Sequence, residues 1–182
     1  MKNLSILFLA LFSISLFSCK DNPKEAELEV VTVDTAPDSK ETYELAQTDA
    51  VFKDSKMDAI FDQYIKVETA LVNTDAEGTT IAAKQLESLL KEIQADEVIQ
   101  KAASGIAGSN DIKLQRENFE HLSSGMEKML EGSLASGTLY KQYCPMAFNN
   151  KGAYWISNSK DILNPYFGDK MLKCGRVDGE IK

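Results

Sequence analysis

Two pairs of sulfur-bearing side chains stand near the C-terminus. Cys144-Pro145-Met146 opens a segment that Met171-Leu172-Lys173-Cys174 closes. Thiolate and thioether are soft donors, so a site made of Cys144, Met146, Met171 and Cys174 would favour Cu(I), a copper ion, over Zn(II) or Mg(II). His121, the one histidine of the sequence, could complete such a site, or it could be a surface or hydrogen-bonded histidine. The cysteines also admit a disulfide between Cys144 and Cys174, which an oxidising compartment favours. Two free buried thiols are the third reading. Bridge and metal exclude each other at any moment but could interconvert, because an emptied thiol pair can oxidise.

Catalytic patterns are missing. There is no Gly-x-Ser-x-Gly elbow, P-loop, His-Glu-x-x-His or Cys-x-x-Cys. A Cys144/His121 pair could make a thiol nucleophile. However, the residue after Cys144 is Pro145, which has no N–H to offer an oxyanion. The expectation is therefore a protein that is not an enzyme.

These side chains need a scaffold, and the preceding sequence predicts three amphipathic helices. In the first, Met57, Ile60, Phe61, Tyr64, Val67 and Leu71 recur at three- and four-residue spacing. The second follows the capping cluster Asn73-Thr74-Asp75 and carries Ile81, Ala82, Leu86, Leu89, Leu90 and Ile93, with Val98 and Ile99 continuing it to a break at 105–108. The third opens at Ser109-Asn110-Asp111, carries Ile112, Phe119, Leu122, Met126, Met129 and Leu130, and ends at Gly132. Met126 and Met129 read as core filler. His121 lies off that face, on a side shared with Leu114, Gly125 and Gly132, where the glycines would let the C-terminal segment approach. The fold class expected is mainly α, an antiparallel helical bundle. An irregular, aromatic-rich Cys/Met segment, residues 138–177, packs on it as short strands or loops, with at most a helical turn near Ser159–Ile162. Its aromatics either cover the bundle or form a docking surface for an envelope partner.

The N-terminus has its own chemistry. Lys2 precedes an apolar run from Leu4 to Phe17, too short to span a bilayer comfortably, and the run ends in Leu16-Phe17-Ser18-Cys19. This resembles a lipobox, with an aliphatic residue three before the cysteine and a small one just before it. Residues 1–18 are therefore expected to be a signal peptide and Cys19 the lipidated residue, palmitate included, holding the protein to a lipid bilayer. Residues 19–48, rich in Glu, Asp, Thr, Lys and Pro, read as a flexible tether, and 49–182 as the domain. Lys20 follows Cys19, so the aspartate signal for inner-membrane retention is missing. A cell-envelope location, on the outer membrane at its periplasmic face or the cell surface, is expected. Removing residues 1–18, which carry Lys2 and no acid, takes the formal charge from −8 to −9. That argues against nucleic acid as a partner.

The string YCPMAFNNKGAYWISNSKDILNPYFGDKMLKCG is similar to the signature of a Bacteroidetes envelope lipoprotein family catalogued as a domain of unknown function. That family also occurs fused to copper/silver efflux membrane-fusion adaptors. The resemblance covers the helices loosely and residues 138–177 closely. It implies heavy-metal handling and a metal-efflux system as a partner. Tyr143-Cys144-Pro145-Met146 also resembles the YxCPMHP opening of a small heavy-metal-binding domain, but Ala147 and Phe148 replace its His-Pro, removing a histidine ligand.

Overall fold

A computed structural model describes residues 42–44 and 48–182. The expected signal peptide, Cys19 and nearly all of the expected tether lie outside the described residues. The described chain is mainly α, with helices α1 (Ser55–Val72), α2 (Ala76–Glu92), α3 (Glu97–Ala107) and α4 (Ile112–Leu130). Each helix opens on an aspartate. The carboxylates of Asp54, Asp75, Asp96 and Asp111 accept the backbone N–H of Lys56, Gly78, Val98 and Lys113. Each satisfies an amide that has no partner within its helix, a contribution of about 1 kcal/mol.

Four helices stand where the periodicity predicts three. The second predicted helix is broken at 93–96, where Gln94 turns left-handed with φ 53° and Asp96 caps a new helix. The connections 73–75, 93–96 and 108–111 are short, and each helix packs against the one before it. Ile60, Phe61, Val67 and Leu71 of α1 share one core with Leu86 and Leu90 of α2, Ile99 and Ile106 of α3, and Phe119, Leu122 and Met126 of α4. Met129 packs at the edge of this core.

The segment after α4 is more regular than expected. Strand β1 (Val51–Phe52) pairs antiparallel with β2 (Leu134–Ser136). Strand β3 (Leu139–Cys144) is the centre of an antiparallel sheet between β4 (Ala153–Ser157) and β5 (Arg176–Ile181). No helical turn forms near 159–162; the tight turns are at Ala147–Asn150 and Gly168–Lys170. Strand β4 packs on α4. The rings of Tyr64, Phe119, Tyr166 and Trp155 make a continuous series of contacts from α1 to β4, with successive centroids 5.3, 5.9 and 5.9 Å apart.

Among the described residues no helix is long and apolar enough to cross a membrane. Tyr43 rests on the end of α1, where the Asn73 side chain accepts its N–H at 2.9 Å and donates to its C=O at 2.8 Å.

Candidate functional site

Strand register brings the two cysteines together. Side chains alternate along a strand, so Gln142 and Cys144 of β3 both face the interior, and each is fully buried. Tyr143 pairs with Arg176 across the antiparallel β3–β5 ladder. Cys144, at the end of β3, therefore lies beside the chain entering β5, and Cys174 is in that entry. The two Sγ atoms are 3.3 Å apart. Both are free thiols, Cys144 buried and Cys174 partly exposed. Burial raises the Cys174 thiol pKa, as does the neighbouring Cys144 sulfur, whereas a hydrogen bond from the Met146 backbone N–H lowers it. The balance keeps a proton on Cys174 more firmly than on a free cysteine.

The two methionines flank the pair through their backbones. Met146 supplies the N–H just named, and its side chain is 45% exposed. Met171 accepts the Cys174 N–H at its carbonyl, 3.0 Å away. The chain after Met146 then reverses its handedness. Phe148 (φ 51°, ψ 53°), Asn149 (φ 59°, ψ 48°) and Asn150 (φ 66°) are all left-handed. For residues other than glycine this costs about 1–2 kcal/mol each, least for asparagine. The Phe148 ring meets Tyr166 edge-on at 5.4 Å, which holds the turn against the core. Gly152 closes it with φ 80°, and a Cβ there would run into the Tyr143 hydroxyl.

The approach to Cys174 is held at several points. Asn164 is fully buried. Its Nδ2 donates to the Cys174 carbonyl at 2.6 Å, and its Oδ1 accepts the N–H of Tyr166 and of Phe167. The Arg116 guanidinium donates to the carbonyls of Pro165 and Leu71, joining α1, α4 and this loop. Gly168, φ 58°, sits where a Cβ would strike the Thr74 hydroxyl and the Val72 carbonyl.

His121 is elsewhere. Its side chain is 67% exposed, with Nδ1 3.1 Å from a Glu120 carboxylate oxygen. It lines a groove of about 400 Å³ between α3 and α4 with Val98, Ser124, Lys128 and Met129. The glycines beside it do not admit the C-terminal segment: Gly125 is packed against Ile99 of α3, and Gly132 has nothing nearby for a Cβ to meet. The structure thus brings Cys144 and Cys174 together, with the Met146 and Met171 backbones beside them, and does not join His121 to them. Among the described residues no group of three or more His, Cys, Asp or Glu is arranged to hold a metal.

Sequence reasoning missed a second polar centre. Glu68 of α1 is buried. Burial drives its carboxyl pKa well above the usual range, although hydrogen bonding from Ser157 and proximity to Trp155 favour the anion. The Trp155 indole N–H lies near enough to contribute but makes no hydrogen bond of normal geometry. The signal was present: Glu68 is four residues after Tyr64 and three before Leu71, on the apolar face.

Residues 60–137 match the model of a family described as "Protein of unknown function (DUF3347)". The matched stretch runs from within α1 through β2 and ends before both cysteines. The helical part is therefore similar to a domain family of unknown function. No curated protein and no solved structure matches the chain.

Proposed function

We propose that this is an envelope lipoprotein domain that binds a soft metal ion, Cu(I), through Cys144 and Cys174, in the service of metal efflux or resistance. The observation that carries the reading is the 3.3 Å separation of the two Sγ atoms at the mouth of the β3–β5 ladder. Metal–thiolate bonds are about 2.3 Å for zinc, so two sulfurs this close can both reach one ion. The donor set suits Cu(I), because soft ligands select it and structural zinc needs four N, S or O ligands. Met146, whose backbone N–H adjoins Cys174 and whose side chain is exposed, would supply the further soft donor the site draws on. His121 is left out of this ligand set, given its position on the α3–α4 groove. Attachment through acylated Cys19, an outer-membrane location and an efflux partner follow from the N-terminal sequence and the resemblance of residues 138–177.

Competition for Cu(I) against a chromogenic chelator, with thiols reduced, tests the reading. Tight binding by wild type that disappears in the Cys144→Ser, Cys174→Ser double variant is expected. Equal affinity in both proteins would remove the site.

A second reading has its own support. With no third His, Cys, Asp or Glu beside the pair among the described residues, a disulfide explains the same proximity. It would make the domain a disulfide-stapled structural or adaptor lipoprotein that docks on an envelope partner.

A further inference from the structure

We propose that Asn164 is the positioning residue of the thiol pair, fixing Cys174 at bonding range of Cys144. The inference rests on the reading that the two sulfurs act as one site, whether toward metal or toward each other.

Asn164 spans both sides of the loop that delivers Cys174. On the near side its Oδ1 accepts the N–H of Tyr166 at 2.8 Å and of Phe167 at 3.2 Å, and its carbonyl accepts the Gly168 N–H at 2.9 Å. On the far side its N–H donates to the Leu172 carbonyl at 2.9 Å and its Nδ2 donates to the Cys174 carbonyl at 2.6 Å. One fully buried residue thus ties positions 166–168 to positions 172 and 174. The Cys174 backbone is pinned at its carbonyl by Asn164 and at its N–H by Met171. With both peptide groups fixed, the Cα–Cβ direction is fixed too, and from that Cβ the Sγ lies 3.3 Å from the Cys144 Sγ.

The chemistry demands this residue type. The side chain must accept on one atom and donate on the other, which an amide does and a carboxylate does not. A carboxylate at 164 would keep the turn bonds to Tyr166 and Phe167 but set a negative oxygen against the Cys174 carbonyl. A serine would keep the bond to the Tyr166 N–H, as short polar side chains do two residues on, and would fall short of Cys174.

The readout is the equilibrium of the full chain with oxidised and reduced glutathione, without metal. In that reaction Cys144 and Cys174 lose two protons and two electrons, their S–S bond forms, the glutathione disulfide breaks, and two reduced glutathiones appear. The equilibrium constant measures the effective concentration of one thiol at the other in the folded state. Asn164→Ser is expected to lower it at least tenfold, and Asn164→Asp further, while folded oxidised and reduced forms persist. A purely structural role would weaken both redox forms alike and leave the constant unmoved. A constant within twofold of wild type in folded Asn164→Ser overturns the proposal, and so does loss of folding in both variants, which would make Asn164 a general prop of the fold. If wild type itself never forms the bridge, the disulfide reading falls and the positioning role of Asn164 with it, while Cu(I) binding is judged by its own competition experiment. Failure to bind Cu(I) alone would leave the glutathione result, and the role of Asn164, standing.

Discussion

The Tyr64 hydroxyl lies 2.8 Å from the Ser123 hydroxyl and accepts the Ile156 backbone N–H at 3.0 Å. One phenol on α1 is thereby bonded to α4 and to β4, where all three groups are shut off from water. Burial raises the Tyr64 pKa far above its ordinary value, with the Glu68 charge adding to it. The group is a permanent neutral donor and acceptor.

Tyr64→Phe keeps the ring contacts with Phe61 and Phe119 and deletes the oxygen. The Ile156 N–H and the Ser123 hydroxyl then lose a partner inside the core, which costs about 1–3 kcal/mol for a buried group left unsatisfied. Urea denaturation of the two proteins should show that loss at an unchanged m-value. Equal midpoints would mean that water or another side chain replaces the phenol.

Glu68 predicts an unusual pH profile. Its pKa is raised in the folded protein, so the folded state holds this proton more tightly than the unfolded chain does. Its contribution is fully present below the ordinary carboxylate pKa and is lost as pH rises toward the raised folded value, with a slope of up to about 1.4 kcal/mol per pH unit. Glu68→Gln stays neutral and keeps a partner for Ser157, so its stability should decline less over that window. Denaturation midpoints at a series of pH values check this, and parallel curves for the two proteins would contradict it.

Gly152→Ala should destabilise the domain. The left-handed φ of 80° alone costs a side chain about 1–2 kcal/mol, and the Tyr143 hydroxyl occupies the space a Cβ needs. A melting temperature equal to wild type would show that the β3–β4 turn can rebuild itself.

The thiol pair predicts the outcome of one thermal series on the same sample: oxidised, reduced, and reduced with Cu(I). A bridge between Cys144 and Cys174 closes a loop of about 30 residues, worth roughly 3–4 kcal/mol in the chain-entropy treatment. Reduction should therefore lower the melting temperature. Cu(I) should raise it again by binding the folded state. A fall with no recovery would leave the disulfide reading alone, and no fall with a rise on copper would leave the metal reading alone.

Replacing Cys19 with alanine should abolish incorporation of a palmitate analogue and release the protein from membranes, as the Leu16-Phe17-Ser18-Cys19 sequence implies. Labelling of the variant at the wild-type level would dismiss that assignment.

Particular residues show where the sequence was legible. Ile60, Phe61, Tyr64, Val67 and Leu71 announced the buried face of α1 because burial there follows the helical period. The α2–α3 break was hidden: Ile93, Val98 and Ile99 keep the stretch apolar, and the reversal falls on Gln94, with neither glycine nor proline to mark it. Asp96 followed by Glu97 was the usable cue, a cap before a first-turn acid. Strand β5 was obscured because Gly179 interrupts the alternation of Arg176, Asp178 and Glu180 with Val177 and Ile181, leaving only two apolar residues on that side. Pairing of the sulfurs depends on the β3–β5 register, a long-range fact that spacing along the chain does not encode. Asn164 looked like a turn residue before Pro165; its reach to Cys174 exists only once the loop has closed.

The reversed turn at Phe148–Asn150 carries a stereochemical consequence. Its backbone is the mirror image of an ordinary helical turn, so it is a place where the chirality of the building blocks opposes the conformation. In a chemically synthesised domain, D-asparagine at 149 or 150 would find there the backbone angles its own handedness prefers. That swap should stabilise the turn while leaving composition and charge untouched, in a segment directly adjoining Cys144-Pro145-Met146.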